Sequence, residues 1–124
     1  MLTWRELSKE QQCVLLGAAE GALLMDLLAL WEPPLDWNER VQHIPRLAKA
    51  VVELADMALI EVLQAADARS ESGLVTRDRL PELVFDPRSW WTEEGPTSLV
   101  ELVCTDAAAA VLETSSDVFG FRDH

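Results

Sequence analysis

Apolar residues dominate the first third of the chain, and their spacing predicts one long helix. Thr3-Trp4-Arg5-Glu6 and Ser8-Lys9-Glu10-Gln11 both have the side-chain order of a capping box. A short turn is therefore expected before a helix from about Lys9 to Trp31, ending ahead of Pro33-Pro34. That helix is apolar nearly all round and needs cover from several elements. Gly17 and Gly21, four apart, flatten one of its faces for close approach of another helix.

Asp36, with Glu39 three residues on, opens a second, short helix. Pro45 suits the first position of a third helix. There Ile44, Leu47, Val51, Leu54 and Ala58 keep the three-and-four spacing of a buried stripe, while Arg46, Lys49, Glu53 and Asp56 fall elsewhere on the wheel. Two short runs rich in β-branched residues follow. Leu59 to Leu63 and Leu99 to Cys104 are expected to pair as a small hairpin. Between them lie a polar loop from Ala65 to Gly73, a helical turn from Arg79 to Phe85, and the run Asp86-Pro87-Arg88-Ser89-Trp90-Trp91. Thr105 is placed to cap a last helix from Asp106 to about Glu113, with the acid in the first turn where the helix dipole favours it. The reading is a single domain over residues 1–113, mainly α with a two-stranded antiparallel hairpin, and a loose tail over 114–124.

Charge changes this picture more than composition does. The 124 residues carry 22 acids and 10 bases, a formal charge of −12. Residues 1–39 hold two bases against seven acids, residues 40–88 seven against eight, and residues 89–124 one against seven. A nearly neutral middle separates two acidic ends. Such a balance repels phosphate backbones and anionic membranes at long range. The apolar stretch Cys13 to Trp31 contains Glu20 and Asp26; each would cost about 2.5–3.5 kcal/mol at the centre of a membrane span, so a buried helix is expected instead. No cleavable signal is visible, which implies a cytoplasmic chain. Cys13 and Cys104, in apolar runs without a Cys-x-x-Cys pair, read as buried reduced thiols. Eight arginines against two lysines fit a GC-rich bacterial or phage genome.

The residues Arg46 to Val62 look like a recognition helix running into a first wing strand. Leu99 to Ala108 look like a second wing strand entering a capped helix. In this the chain resembles the winged helix-turn-helix family. The departures are Ala58 and Ala108, where the family tends to have glycine, and a connection of 35 residues where it has a short wing. For function, the resemblance implies that Arg46 and Lys49 face a major groove while Arg69, Arg77 and Arg79 reach phosphates. It also implies a homodimer, since one such domain reads a half-site.

Electrostatics favours a different use of the same scaffold. Glu53 and Asp56 share the third helix with the proposed DNA contacts, whereas nucleic-acid-binding domains concentrate positive charge. Trp90-Trp91 followed by Glu93 and Glu94 offers an aromatic anchor with an acidic rim, suited to a basic protein partner. The bland alternative is that both rings cover the first helix; Trp4, Trp31 and Trp37 read as core or its edge. The acids at both ends could also imitate DNA phosphates, although a solvated acidic surface is the simpler reading. Catalysis and cofactors are not expected. His43 and His124 are the only histidines, too few nitrogen or sulfur donors for a metal centre, and no phosphate loop or nucleophile elbow is present. The expectation is a non-enzymatic, partner-binding regulatory protein, with a DNA-binding regulator as the alternative.

Overall fold

The continuous first helix predicted from the apolar run is in fact two helices. The computed structural model describes residues 2–31, 36–65, 71–90 and 98–114, with only the backbone of Trp37. In it α1 spans Lys9–Ala19 and α2 spans Leu24–Leu30. Gly21 is the reason: it sits at φ +69°, in the left-handed region, and carries the chain out of the helix. Its N–H donates to the Ala18 carbonyl, and the Ala22 N–H to that of Gly17. These are the two bonds of a Schellman ending. Asp26 then restarts the helix by accepting from the Leu23 N–H at 3.0 Å. Gly17 packs against the returning α2. A Cβ built there would lie 2.4 Å from Leu27 Cδ2.

Capping explains most of the other starts. Ser8 and Gln11 form the expected reciprocal box at α1, and Asp36 and Glu39 form one at α3, Trp37–Gln42. Thr3 does not cap the 3-10 turn Trp4–Glu6; its hydroxyl donates to the Glu6 carboxylate instead. Helix α4, Ile44–Asp56, has proline in its first turn, as predicted, and buries Ile44, Leu47, Val51 and Leu54. Ala58 does not belong to that stripe. It is exposed, beyond the helix, at φ +58°. The Ala58 N–H donates to Ala55 and the Leu59 N–H to Leu54, so α4 ends in the same motif as α1, with alanine at the position glycine prefers.

This predicts a gain. An L-residue in the left-handed region costs about 1–2 kcal/mol, and glycine gives back about 0.4–1 kcal/mol through a freer unfolded chain. Ala58→Gly should therefore raise the unfolding free energy by about 0.5–1 kcal/mol. A urea midpoint that falls on this substitution would contradict the backbone assignment.

The sheet has three strands, not two, in the order β2-β1-β3. β1 is Ile60–Ala65 and β3 is Leu99–Cys104, antiparallel, with Ile60 opposite Cys104 and Ala65 opposite Leu99. β2, the two residues Gly73–Leu74, pairs with the other edge of β1. Two residues at the end of a polar loop have no readable periodicity, so β2 leaves no signal in the sequence. Leu23 adds a single bridge to Glu101 on the far side of β3. α5, Leu80–Val84, and a 3-10 turn, Pro87–Ser89, occupy the long connection between β2 and β3. The last helix, α6, is Asp106–Glu113, as expected, but Thr105 does not cap it through its side chain. The Thr105 hydroxyl donates instead to the Ala58 carbonyl at 2.6 Å, tying the start of α6 to the end of α4.

One core joins these elements. Val14 and Leu15 of α1, Leu24, Leu27 and Leu28 of α2, the α4 stripe, and Val62, Val100 and Leu102 from one face of the sheet are all buried together. Thr114 belongs to this unit and not to a tail: its hydroxyl donates to the Val111 carbonyl and accepts from the Trp4 N–H. The remainder of the predicted tail lies outside the described residues.

Candidate interaction surface

The outward face of α4 is where the two functional expectations meet, because it carries Arg46 and Lys49. Helical spacing puts Arg46, Lys49, Glu53 and Asp56 in one solvent-side row, opposite the buried stripe. Their neighbours settle the electrostatics. Arg46 pairs with Glu10 of α1 at 3.0 Å. Glu53 accepts from Gln11 at 3.3 Å. Asp56 pairs with Arg77 at 2.7 Å, and Arg77 also reaches the Ala55 carbonyl at the end of the helix. Three cations therefore stand beside three carboxylates (Glu10, Glu53 and Asp56), and this face is neutral as a whole.

Ser8, Glu10, Gln11, Arg46, Lys49 and Glu53 line an open depression of about 310 Å³ between α1 and α4. Every one of these side chains is polar. Small-molecule sites are predominantly apolar with a few convergent polar groups, and this depression has the opposite make-up. Arg79, the residue ahead of α5, is exposed. Arg69 lies outside the described residues. Of the five cations assigned to a nucleic-acid contact, the structure thus brings Arg46 and Lys49 together and sets Arg77 at the other end of α4, neutralised.

The aromatic anchor is corrected in part. Trp90 is 0% exposed, and its indole N–H donates to the Val84 carbonyl at 2.7 Å. Val84 ends α5, where a helix leaves its carbonyls without intrahelical partners, so the ring both fills the core and caps a helix. A side chain this buried cannot touch a partner. Asp86 sets it in place by accepting from the Arg88 N–H and bonding the Arg88 guanidinium, which orders the turn leading into Trp90. The Arg88 guanidinium also holds the Asp86 carboxyl below its usual pKa. Trp91, Glu93 and Glu94 lie outside the described residues.

Two ties near the base of α2 carried no sequence signal. The Trp31 indole donates to His43 Nδ1 at 2.8 Å, so that nitrogen is an acceptor and not a metal ligand. The Arg40 guanidinium donates to the Leu28 and Trp31 carbonyls, closing the C-terminal end of α2. Cys13 and Cys104 are unbridged and half-buried, not fully buried as expected; their thiols point at the Leu27 and Leu15 carbonyls. Burial raises the Cys104 pKa, which favours the protonated thiol.

Among the described residues there is no cluster of three or more potential metal-ligating groups. None of the described helices is long and apolar enough to cross a membrane. The described residues define a mainly helical domain with a small three-stranded antiparallel sheet. Comparison with family models, with curated proteins and with solved structures finds no match to this chain.

Proposed function

We propose that this chain is a non-enzymatic binding module on a winged-helix-like scaffold, and that its partner is a protein carrying positive charge. The observation that carries this reading is the neutrality of the α4 face. A helix that docks into a DNA groove gains most of its non-specific affinity by neutralising phosphates with lysine and arginine. Here Arg46 and Arg77 already hold carboxylates, and a phosphate would have to displace them while approaching Glu53. The overall charge of −12 adds long-range repulsion.

The scaffold part of the proposal is supported by the left-handed residue ahead of β1. The winged-helix family tends to have glycine at that point, and Ala58 adopts the conformation that glycine would serve. Helix α4, the antiparallel β1–β3 pair and α6 follow in the order that the resemblance implies. Fold alone does not decide function, so the assignment of a partner class rests on charge.

Titrating the purified protein into a labelled random duplex at about 50 mM and about 200 mM salt tests the reading. A phosphate-binding module making several contacts loses about 10³–10⁵ in affinity across that interval. No binding at either concentration is the expected result. Tight binding at low salt with such a slope would establish the DNA-binding alternative and overturn the proposal.

A further inference from the structure

β1 and β3 carry apolar side chains on both faces, although among the described residues only one face meets the core. Ile60, Val62, Val100 and Leu102 point inward and are buried. The alternate residues point the other way, as strand geometry requires. Leu63 sits opposite Leu74 on one side and Glu101 on the other; Glu61 sits opposite Val103; and Ala65 sits opposite Leu99. Leu74 is 60% exposed, Glu61 is exposed, and Leu63, Leu99 and Val103 are half-buried. Antiparallel sheets with one solvated face normally alternate apolar with polar residues, and continuous apolar strands are the mark of a sheet covered on both sides.

Charge says what would cover this one. Glu61 and Glu101 are diagonal neighbours on the outer face, one register step apart, and diagonal positions are within reach of long side chains. Two carboxylates of like sign therefore stand on this face among leucine and valine, that of Glu101 lying toward Gly21 at the β3 edge. Among the described residues neither has an ion-pair partner. A second copy of this chain would bring the same two carboxylates against each other if it docked through the same face, as a two-fold dimer does. An anionic surface would be repelled in the same way.

We infer that the outer face of the β2-β1-β3 sheet docks an amphipathic helix of a partner protein, with its apolar stripe on Leu63, Leu74, Leu99 and Val103 and with lysine or arginine at the margin facing Glu61 and Glu101. The inference rests on the protein-binding reading above and gives it a place and a partner chemistry. A helix laid on a sheet face is a standard way for two such surfaces to be buried. The two carboxylates supply selectivity, because a partner with acids in place of its lysines meets like charge.

The test uses a labelled synthetic amphipathic helix of leucine and lysine, its leucine–glutamate counterpart, and the full chain, read by fluorescence anisotropy. The lysine peptide should bind and the glutamate peptide should not. Glu61→Gln with Glu101→Gln should weaken the lysine peptide about tenfold, which corresponds to about 1.4 kcal/mol. Glu82→Gln with Glu113→Gln removes the same charge elsewhere, on α5 and α6, and should leave affinity within about twofold. Leu74→Gln, at a site exposed enough to leave folding intact, should also weaken binding; the urea midpoint of each variant checks that it is folded. Equal losses from the two glutamate pairs would mean general acidity and would overturn the assignment, as would absence of lysine-peptide binding. Either result without duplex binding rejects this face alone, whereas salt-dependent duplex binding rejects the broader reading.

Discussion

Trp90→Ala is expected to cost about 3–5 kcal/mol of unfolding free energy, the range for truncating a fully buried large aromatic side chain. The ring is 0% exposed, so the substitution removes its transfer free energy and leaves a cavity between α5 and the rest of the core. It also removes the indole donor from the Val84 carbonyl. Against a total of about 5–15 kcal/mol for a native protein, that loss brings the chain close to unfolding at physiological temperature. Trp90→Phe keeps one aromatic ring in the core but loses the indole N–H and part of the buried volume, with an expected cost of about 1–3 kcal/mol. Urea unfolding followed by circular dichroism measures both. A cost below about 1 kcal/mol for Trp90→Ala would mean that the ring is at the surface after all, where substitutions stay within about 0.5 kcal/mol. The same measurement guards against a false functional result, because loss of partner binding in this variant would report unfolding.

The residues that were legible in the sequence are those whose signal is local. Ser8 with Gln11, and Asp36 with Glu39, sit three apart at helix starts, and the structure has both reciprocal boxes. The α4 stripe repeats over three turns, long enough for periodicity to show. β3 was legible to its ends because its apolar run stops at two hydroxyl residues, Ser98 and Thr105. What the sequence did not show depends on contacts distant along the chain. Thr105 has the identity of a cap, yet the Ala58 carbonyl competes for its hydroxyl from 47 residues away. Gly21 looks like a packing residue in sequence but ends a helix, because an apolar run hides a turn in its middle. Trp90 and its neighbour look alike in sequence, and only the position of α5 shows that the Trp90 ring is buried. The outer sheet face was visible in the strand composition, Leu-Val-Glu-Leu-Val, but assigning a face needed the register.

The break between α1 and α2 is the largest correction to the predicted architecture, and it has a direct test. In one continuous helix, Gly17 and Leu27 would be ten residues and about 15 Å apart, with no means of contact. In the folded-back pair they touch, with the added Cβ only 2.4 Å from Leu27 Cδ2 and 3.4 Å from the Ala22 Cβ. Gly17→Val places a branched side chain in that space. The end of the Leu27 side chain can shift, but Leu27 is 0% exposed and surrounded by core, so the substitution should cost about 1–3 kcal/mol by overpacking. Leu27→Ala alone should cost about 2–5 kcal/mol through the cavity it leaves. Combined, the valine methyls enter the space that leucine vacated, and the double variant should be more stable than the sum predicts by about 0.5–3 kcal/mol, the coupling found for residues in contact. Strict additivity would place the two residues apart and restore the single long helix. A large favourable coupling is obtainable only if the chain reverses at Gly21, and that reversal is what brings Leu23 alongside Glu101 at the edge of the sheet.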